Sequence, residues 1–288
     1  MTPDSMKNTA ILLVTCPDRK GLVAAIANFI LKHNGNILHA DEHGDPESHL
    51  FLMRVEFDPS EFNIDLADFT RHFAPIADEL GMNWRLAQSR YRPKMAILVS
   101  KYDHCLADLL YRHKSGELHC DIPLIVSNHL DTKPIAEFYN IPFFYVPAKE
   151  DKNESEQKIL DLLKQKETDL VVLARYMQIL SEQFVARYPL RVINIHHSFL
   201  PAFVGAKPYH QAFARGVKLI GATSHYVTEV LDDGPIIEQD VVRISHRDAV
   251  EDLLQKGRDL EKVVLSRAVR WHLENRVLLH GKRTVVFD

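Results

Sequence analysis

The stretch MAILVSKYDHCLADLLYRHKSGELHCDIPLIVSN, residues 95–128, decides the fold. MAILVS (95–100) is a near-continuous apolar run, as expected of a strand in a parallel sheet covered on both faces. A helix is expected around Cys105–Ser115, and a second apolar run, IPLIVSN (122–128), follows it. The pattern then repeats: a short helix at Pro134–Tyr139, PFFYVP (142–147), and a charged run KEDKNESEQ (149–157) leading into a helix at Gln157–Gln165. LVVLA (170–174), a helix near Ser181–Tyr188 and RVINIH (191–196) continue it. Strands and helices alternating through short connections predict an α/β block, a Rossmann-like doubly wound parallel sheet. Ligands in such sheets bind beyond the carboxyl ends of the strands.

Upstream, QSRYRPK (88–94) is polar, contains a proline and reads as a linker. Before it lies a different pattern. AILLVT (10–15) is β-rich and ends in the turn signal Cys16-Pro17-Asp18. Leu22, Ile26, Phe29 and Ile30 then share one helical face, and Asn34-Gly35-Asn36 stops that helix. Strands follow at NILHADEHG (36–44) and HLFLMRVEFD (49–58), where Phe51, Met53, Val55 and Phe57 alternate with less apolar positions. A helix over Ile64–Leu80 and a short strand at Trp84–Leu86 complete βαββαβ, the ferredoxin-like order. The expected organisation is a front domain over 7–88, a linker over 89–94 and a second domain over 95–288. The front block resembles an ACT domain. That resemblance implies a regulatory and oligomerisation module with an amino-acid effector, glycine or methionine, held near Asp18, Lys20, Gly21 and Leu22. It also implies a homo-oligomer, dimer or tetramer; the alternative is a purely structural dimerisation module without a ligand.

Bulk composition narrows the classes. The chain has 288 residues, 46% hydrophobic and 26% charged, enough apolar material for a full core. Its net charge is −4 and no basic stripe is visible, so nucleic acid is not an expected partner. Cys16, Cys105 and Cys120 are odd in number and widely spaced, which fits reduced thiols in a cytoplasmic protein. No apolar run approaches the ~20 residues of a membrane span, and the amino-terminal segment lacks the pattern of a signal peptide.

The chemistry gathers after RVINIH. Residues two apart on a strand face the same side, so Asn194 and His196 point together while Ile195 and His197 point away. An amide and an imidazole at a strand's carboxyl end suit negative charge developing on a carbonyl oxygen. Further on, Leu231-Asp232-Asp233-Gly234-Pro235 is a turn. Its carboxylate, flanked by Leu231 and Pro235, is expected in a partly apolar setting that raises its pKa toward that of a general base. Adjacent aspartates before Gly-Pro are equally plain turn formers.

The order N-x-H-x-S-x-L-P (194–201), S-H-x-V (224–227) and L-D-x-G-P (231–235) resembles the folate-dependent formyltransferase family, over roughly residues 95–270. The resemblance implies a catalytic trio of Asn194, His196 and Asp232 and a site for 10-formyltetrahydrofolate. It places the pterin ring on Met177, Gln178, Ile179 and Leu180, with His225 and Val227 beside it. Family members acting on a ribonucleotide carry a glycine-rich phosphate loop after the first strand. Here that position reads SKYDHCLADLL (100–110), without glycine and with Asp103 against an anion. The second, basic domain of members acting on tRNA is not found after the helix expected over Ser245–Glu274. Water is then the simplest nucleophile, which implies a hydrolase releasing formate and tetrahydrofolate, balancing the one-carbon pool and supplying formate for purine synthesis. The alternatives are transfer to an unidentified acceptor and an inactive amino-acid-binding regulator. No cofactor and no metal are expected, since His196 and His197 face opposite ways and no His-Glu-x-x-His helix occurs.

Overall fold

The structure, a computed structural model, describes residues 8–148, 152–202 and 208–288. Residue 7 of the front block, the start of the charged run (149–151) and FVGAK (203–207) lie outside the described residues. The chain divides into two compact units. The first runs to Arg92 and takes in Glu274–His280 and Val285–Asp288; the second comprises Pro93–Leu273 and Gly281–Thr284.

In the first unit, β1 (Ala10–Pro17), α1 (Leu22–Lys32), β2 (Asn36–Asp45), β3 (Leu50–Asp58), α2 (Phe69–Leu80) and β4 (Asn83–Gln88) follow the expected order. The antiparallel sheet runs β2-β3-β1-β4. Leu22, Ile26, Phe29 and Ile30 form the buried face of α1, packed with Phe51, Met53, Val55 and Phe57 of β3. The second helix starts at Phe69 rather than Ile64. Asp65 accepts the Ala67 N–H and closes a tight turn over Leu66–Asp68 first.

β3 also buries Leu52 and Arg54 on its opposite face. The tail explains this: the Arg54 guanidinium donates to the carbonyls of Asn275 and Glu274, and His280 Nε2 lies 3.1 Å from Asp45. These partners draw Glu274–His280 into the first unit, whereas the sequence reading carries the second block to the end of the chain.

The second unit is built on a seven-stranded sheet, ordered β11-β10-β9-β8-β5-β6-β7. Five strands are parallel: β5 (Met95–Val99), β6 (Ile125–Ser127), β7 (Phe143–Tyr145), β8 (Leu170–Ala174) and β9 (Val192–His196). They alternate with α3 (His104–Ser115), α4 (Lys133–Phe138), α5 (Lys152–Gln165) and α6 (Glu182–Arg187). All of β5 and β8 is buried, as continuous apolar strands require. After α7 (Pro208–Arg215), a helix that the sequence pattern does not announce, β10 (Leu219–Tyr226) pairs antiparallel with β9 and β11 (Ile236–Arg243) antiparallel with β10. The sheet is therefore mostly, not wholly, parallel. The long α8 (Val250–Leu273) follows, and two short strands, β12 (Val277–His280) and β13 (Arg283–Val286), end the chain. Among the described residues no helix is long and apolar enough to cross a membrane.

The chain moves from β5 outward to β6 and β7, then returns to the other flank through β8 and β9. The reversal lies between β5 and β8. In a doubly wound sheet this is where a crevice opens at the carboxyl ends.

Candidate active site

Strand alternation sets the first two groups. Ile195 is buried on one side of β9, while Asn194 and His196 share the other. The antiparallel register then places His225 of β10 directly opposite Asn194. Asn194 Nδ2 lies 3.2 Å from His225 Nε2, and the Ser224 hydroxyl donates to the Asn194 carbonyl at 3.1 Å. His225 Nδ1 is 3.0 Å from the Tyr226 carbonyl. A carbonyl only accepts, so this nitrogen carries a proton.

Asp232 arrives on the turn after β10 with φ 56, a left-handed conformation that aspartate tolerates better than most residues. Gly234 makes the approach possible: a Cβ there would lie 1.7 Å from the Tyr226 carbonyl oxygen. Tyr226 N–H in turn donates to the Pro235 carbonyl, fixing the turn to the strand. The result is a carboxylate between two imidazoles, with Oδ2 3.3 Å from His196 Nδ1 and Oδ1 3.6 Å from His225 Nε2.

Hydrogen bonding to His196 and then to His225 outweighs burial and holds the Asp232 carboxyl well below the usual range. This corrects the expectation of a raised value. Leu231 is exposed and supplies no apolar cover, and the imidazoles come from strands that the local sequence does not reveal. With Nδ1 turned to the carboxylate, the other nitrogen of His196 is left over. Nε2 is buried and has no hydrogen-bond partner among the described residues.

Beyond β8, Met177, Gln178 and Ile179 are exposed and Leu180 is half-buried. Both ends of this segment are pinned. Met177 N–H donates to Ser100 Oγ (3.0 Å), whose hydroxyl donates to Asn128 Oδ1 (2.8 Å). Ser181 gives its N–H (2.9 Å) and its hydroxyl to the two oxygens of the buried Glu156, then caps α6 by accepting from Phe184 N–H. Val227 is half-buried and donates its N–H to the Val192 carbonyl.

A second cluster, absent from the sequence reading, lies behind His197. Glu261 of α8 is 1% exposed. It accepts from Tyr209 OH at 2.8 Å and from His104 Nε2 at 2.7 Å, and Arg175 Nη1 stands 3.5 Å away. Burial pushes Glu261 up, but the His104 hydrogen bond, the Arg175 charge and the Tyr209 hydroxyl together bring it below the ordinary value. The sequence does carry a signal. Leu253, Gly257, Glu261, Val264 and Leu265 share the buried stripe of α8, so a carboxylate falls where only apolar or small residues belong. His104, Cys105 and Glu261 offer ligand atoms within 4.8 Å of one another. A cation is a poor fit there. The Glu261 oxygens already hold two donors beside a guanidinium, and burial pushes the Cys105 thiol far up, away from the thiolate a metal needs.

Residues 93–269 match the formyl transferase family, and residues 10–70 match the ACT domain. A formyltetrahydrofolate deformylase from Synechocystis sp. is 56% identical over 280 residues, 97% of this chain and 98% of its own length. One from Bacillus subtilis is 47% identical over 99% of this chain and 96% of its own. The chain belongs to the formyltetrahydrofolate deformylase family. A crystal structure of such a deformylase from Pseudomonas syringae pv. tomato matches with a TM-score of 0.96 and 51% identity, over 99% of this chain and 96% of that one.

The ACT domain of this family member carries a cleft of about 450 Å³ where β1 meets α1. Asp18, Gly21 and Leu22 line it, together with Arg19, Glu42 and Phe51. Lys20 is exposed and not part of the lining; its neighbour Arg19 is the cation that faces the cleft. Gly21 opens α1 with φ 94, a conformation that favours glycine.

Proposed function

We propose that this chain hydrolyses 10-formyltetrahydrofolate to formate and tetrahydrofolate, with water as the acceptor and no cofactor. One observation carries the reading: His196 Nε2 is buried with no hydrogen-bond partner among the described residues, in a ring whose Nδ1 faces an ionised carboxylate. The N10-formyl group is amide-like and needs three things: a proton removed from water, charge stabilised on the carbonyl oxygen, and a proton delivered to N10. Asp232 is too weak a base to match the working pH, so it holds the His196 tautomer. Nε2 takes the proton of the attacking water as the water oxygen bonds to the formyl carbon. Asn194 has a second amide N–H to give to the oxyanion. Collapse breaks the C–N10 bond, the imidazolium returns its proton to N10, and formic acid ionises on release. The pinned segment from Met177 to Leu180, with His225 and Val227, is the proposed seat of the pterin ring. Released formate and tetrahydrofolate would adjust the one-carbon pool and supply purine synthesis.

In the ACT domain we propose glycine or methionine as effector, the ammonium near Asp18 and Glu42 and the carboxylate near Arg19. The open edge of β2 favours self-association through that sheet.

The assay supplies 10-formyltetrahydrofolate and no acceptor. Formate should appear well above the uncatalysed rate and fall about 10⁴-fold in Asp232→Asn, as when a tautomer-setting aspartate is neutralised elsewhere. No formate from the wild type would leave transfer to an unidentified acceptor or an inactive regulator. Full activity in Asp232→Asn would remove that carboxylate from the mechanism.

A further inference from the structure

The reversal of strand order between β5 and β8 calls for a crevice at the carboxyl ends of these strands. Charged and aromatic side chains gather there. Arg175 directly follows β8, His197 directly follows β9, and Tyr102 and His104 follow β5. The Arg175 guanidinium lies 5.2 Å from the Tyr102 ring centre on one side and 3.5 Å from Glu261 on the other. His104 and Tyr209 close on the same carboxylate.

Two backbone positions show that this filling is built in. Arg175 has φ 63, a conformation in which glycine would be the easier residue, yet a long cation stands there. Gly257 lies inside α8, where glycine costs about 1 kcal/mol relative to alanine. A Cβ at Gly257 would come within 2.2 Å of the Tyr209 ring, so the helix gives up a side chain to seat that tyrosine. The cluster also reaches the catalytic imidazole: the His197 ring lies 6.2 Å from Tyr209 and 5.2 Å from His196.

We propose that Glu261, Arg175, His104 and Tyr209, roofed by Tyr102, form an acceptor-excluding wall that makes water the preferred nucleophile at His196. This inference rests on the hydrolase reading. An acceptor bound at the crevice would have to displace a buried ion pair, which strands charge in a low-dielectric setting. Water needs only about 30 Å³. The four residues determine specificity and take no proton in the reaction.

The test measures partition between water and two nucleophiles of different size, hydroxylamine and its O-benzyl ether. In each transfer the amine nitrogen bonds to the formyl carbon, the C–N10 bond breaks, and the proton lost by the amine is balanced by one gained at N10. The wild type should give formate and leave the O-benzyl ether unformylated. Arg175→Gly with Glu261→Gln removes both halves of the ion pair, so neither charge is stranded. Tyr102→Ala opens the exposed mouth, where loss of the fold is not a concern. Both should raise the ratio of O-benzyl product to formate about ten-fold or more, the discrimination that a small change of pocket shape gives. An unchanged ratio in Tyr102→Ala and in the folded double variant overturns the proposal. A wild type that releases no formate without an acceptor fails the hydrolase reading instead, so the two failures are separable.

Discussion

Replacing His197 by asparagine should make the protein gain stability relative to wild type as the solution is acidified. Burial pulls the His197 imidazole from 6.5 down to about 4, and the neighbouring Arg175 charge adds to burial. Glu261 and Asp232 oppose this, and His196 reinforces it. Above pH 6.5 the ring is neutral in both folded and unfolded chains, and its contribution is fully present. As the pH falls below 6.5 the unfolded chain takes up the proton first. Stability is then lost until about pH 4, where the folded protein is protonated too. At about 1.4 kcal/mol per pH unit, the whole window is worth about 3 kcal/mol, with about 2 kcal/mol falling between pH 7 and pH 5. His197→Asn has no proton to bind, and the other histidines are common to both proteins. Urea titrations followed by circular dichroism at pH 7 and pH 5 should therefore show the variant closing on wild type, or passing it, by about 2 kcal/mol. Stability curves that stay parallel across this window refute the reasoning, as does an NMR titration placing His197 near 6.5.

Gly234→Ala sets a methyl 1.7 Å from the Tyr226 carbonyl oxygen, so the Asp232 turn must shift by roughly 1.5 Å, and kcat for formate release should fall about 100-fold. A wild-type kcat would show that this contact does not position the carboxylate. In the ACT domain, calorimetry should detect glycine or methionine in the wild type and neither in Asp18→Ala; silence with both ligands in the wild type removes the effector.

Much of the fold is legible because its signals are local. The apolar runs of β5, β8 and β9 and the single buried face of α1 follow from period alone. The departures have non-local causes. The direction of β10 is set by its long-range pairing with β9, which no local pattern states, and the tail's place depends on Arg54, some 220 positions earlier. The pairing of Asn194 with His196 is legible for the same reason as β9 itself. The low pKa of Asp232 is not, since its causes come from His196 and His225 on two strands while its own neighbours suggest the opposite shift. The Glu261 cluster joins residues 86 and 157 positions apart, and only the misplaced carboxylate on the apolar stripe of α8 hints at it.

Two adjacent histidines show how far a single strand alternation reaches. His196 turns to the side that meets Asp232, which claims Nδ1 and leaves Nε2 open to a reacting group. His197 turns to the side that meets Tyr209 and the field of Arg175, where carrying a proton is disfavoured down to about pH 4. A cationic His197 beside His196 would oppose the imidazolium that the proposed water attack forms there. Keeping it neutral removes that opposition through the physiological range. The burial proposed to close the acceptor side thus also favours the proposed proton transfer at Nε2, so the proposed wall behind His197 and the proposed base in front of it share one packing arrangement.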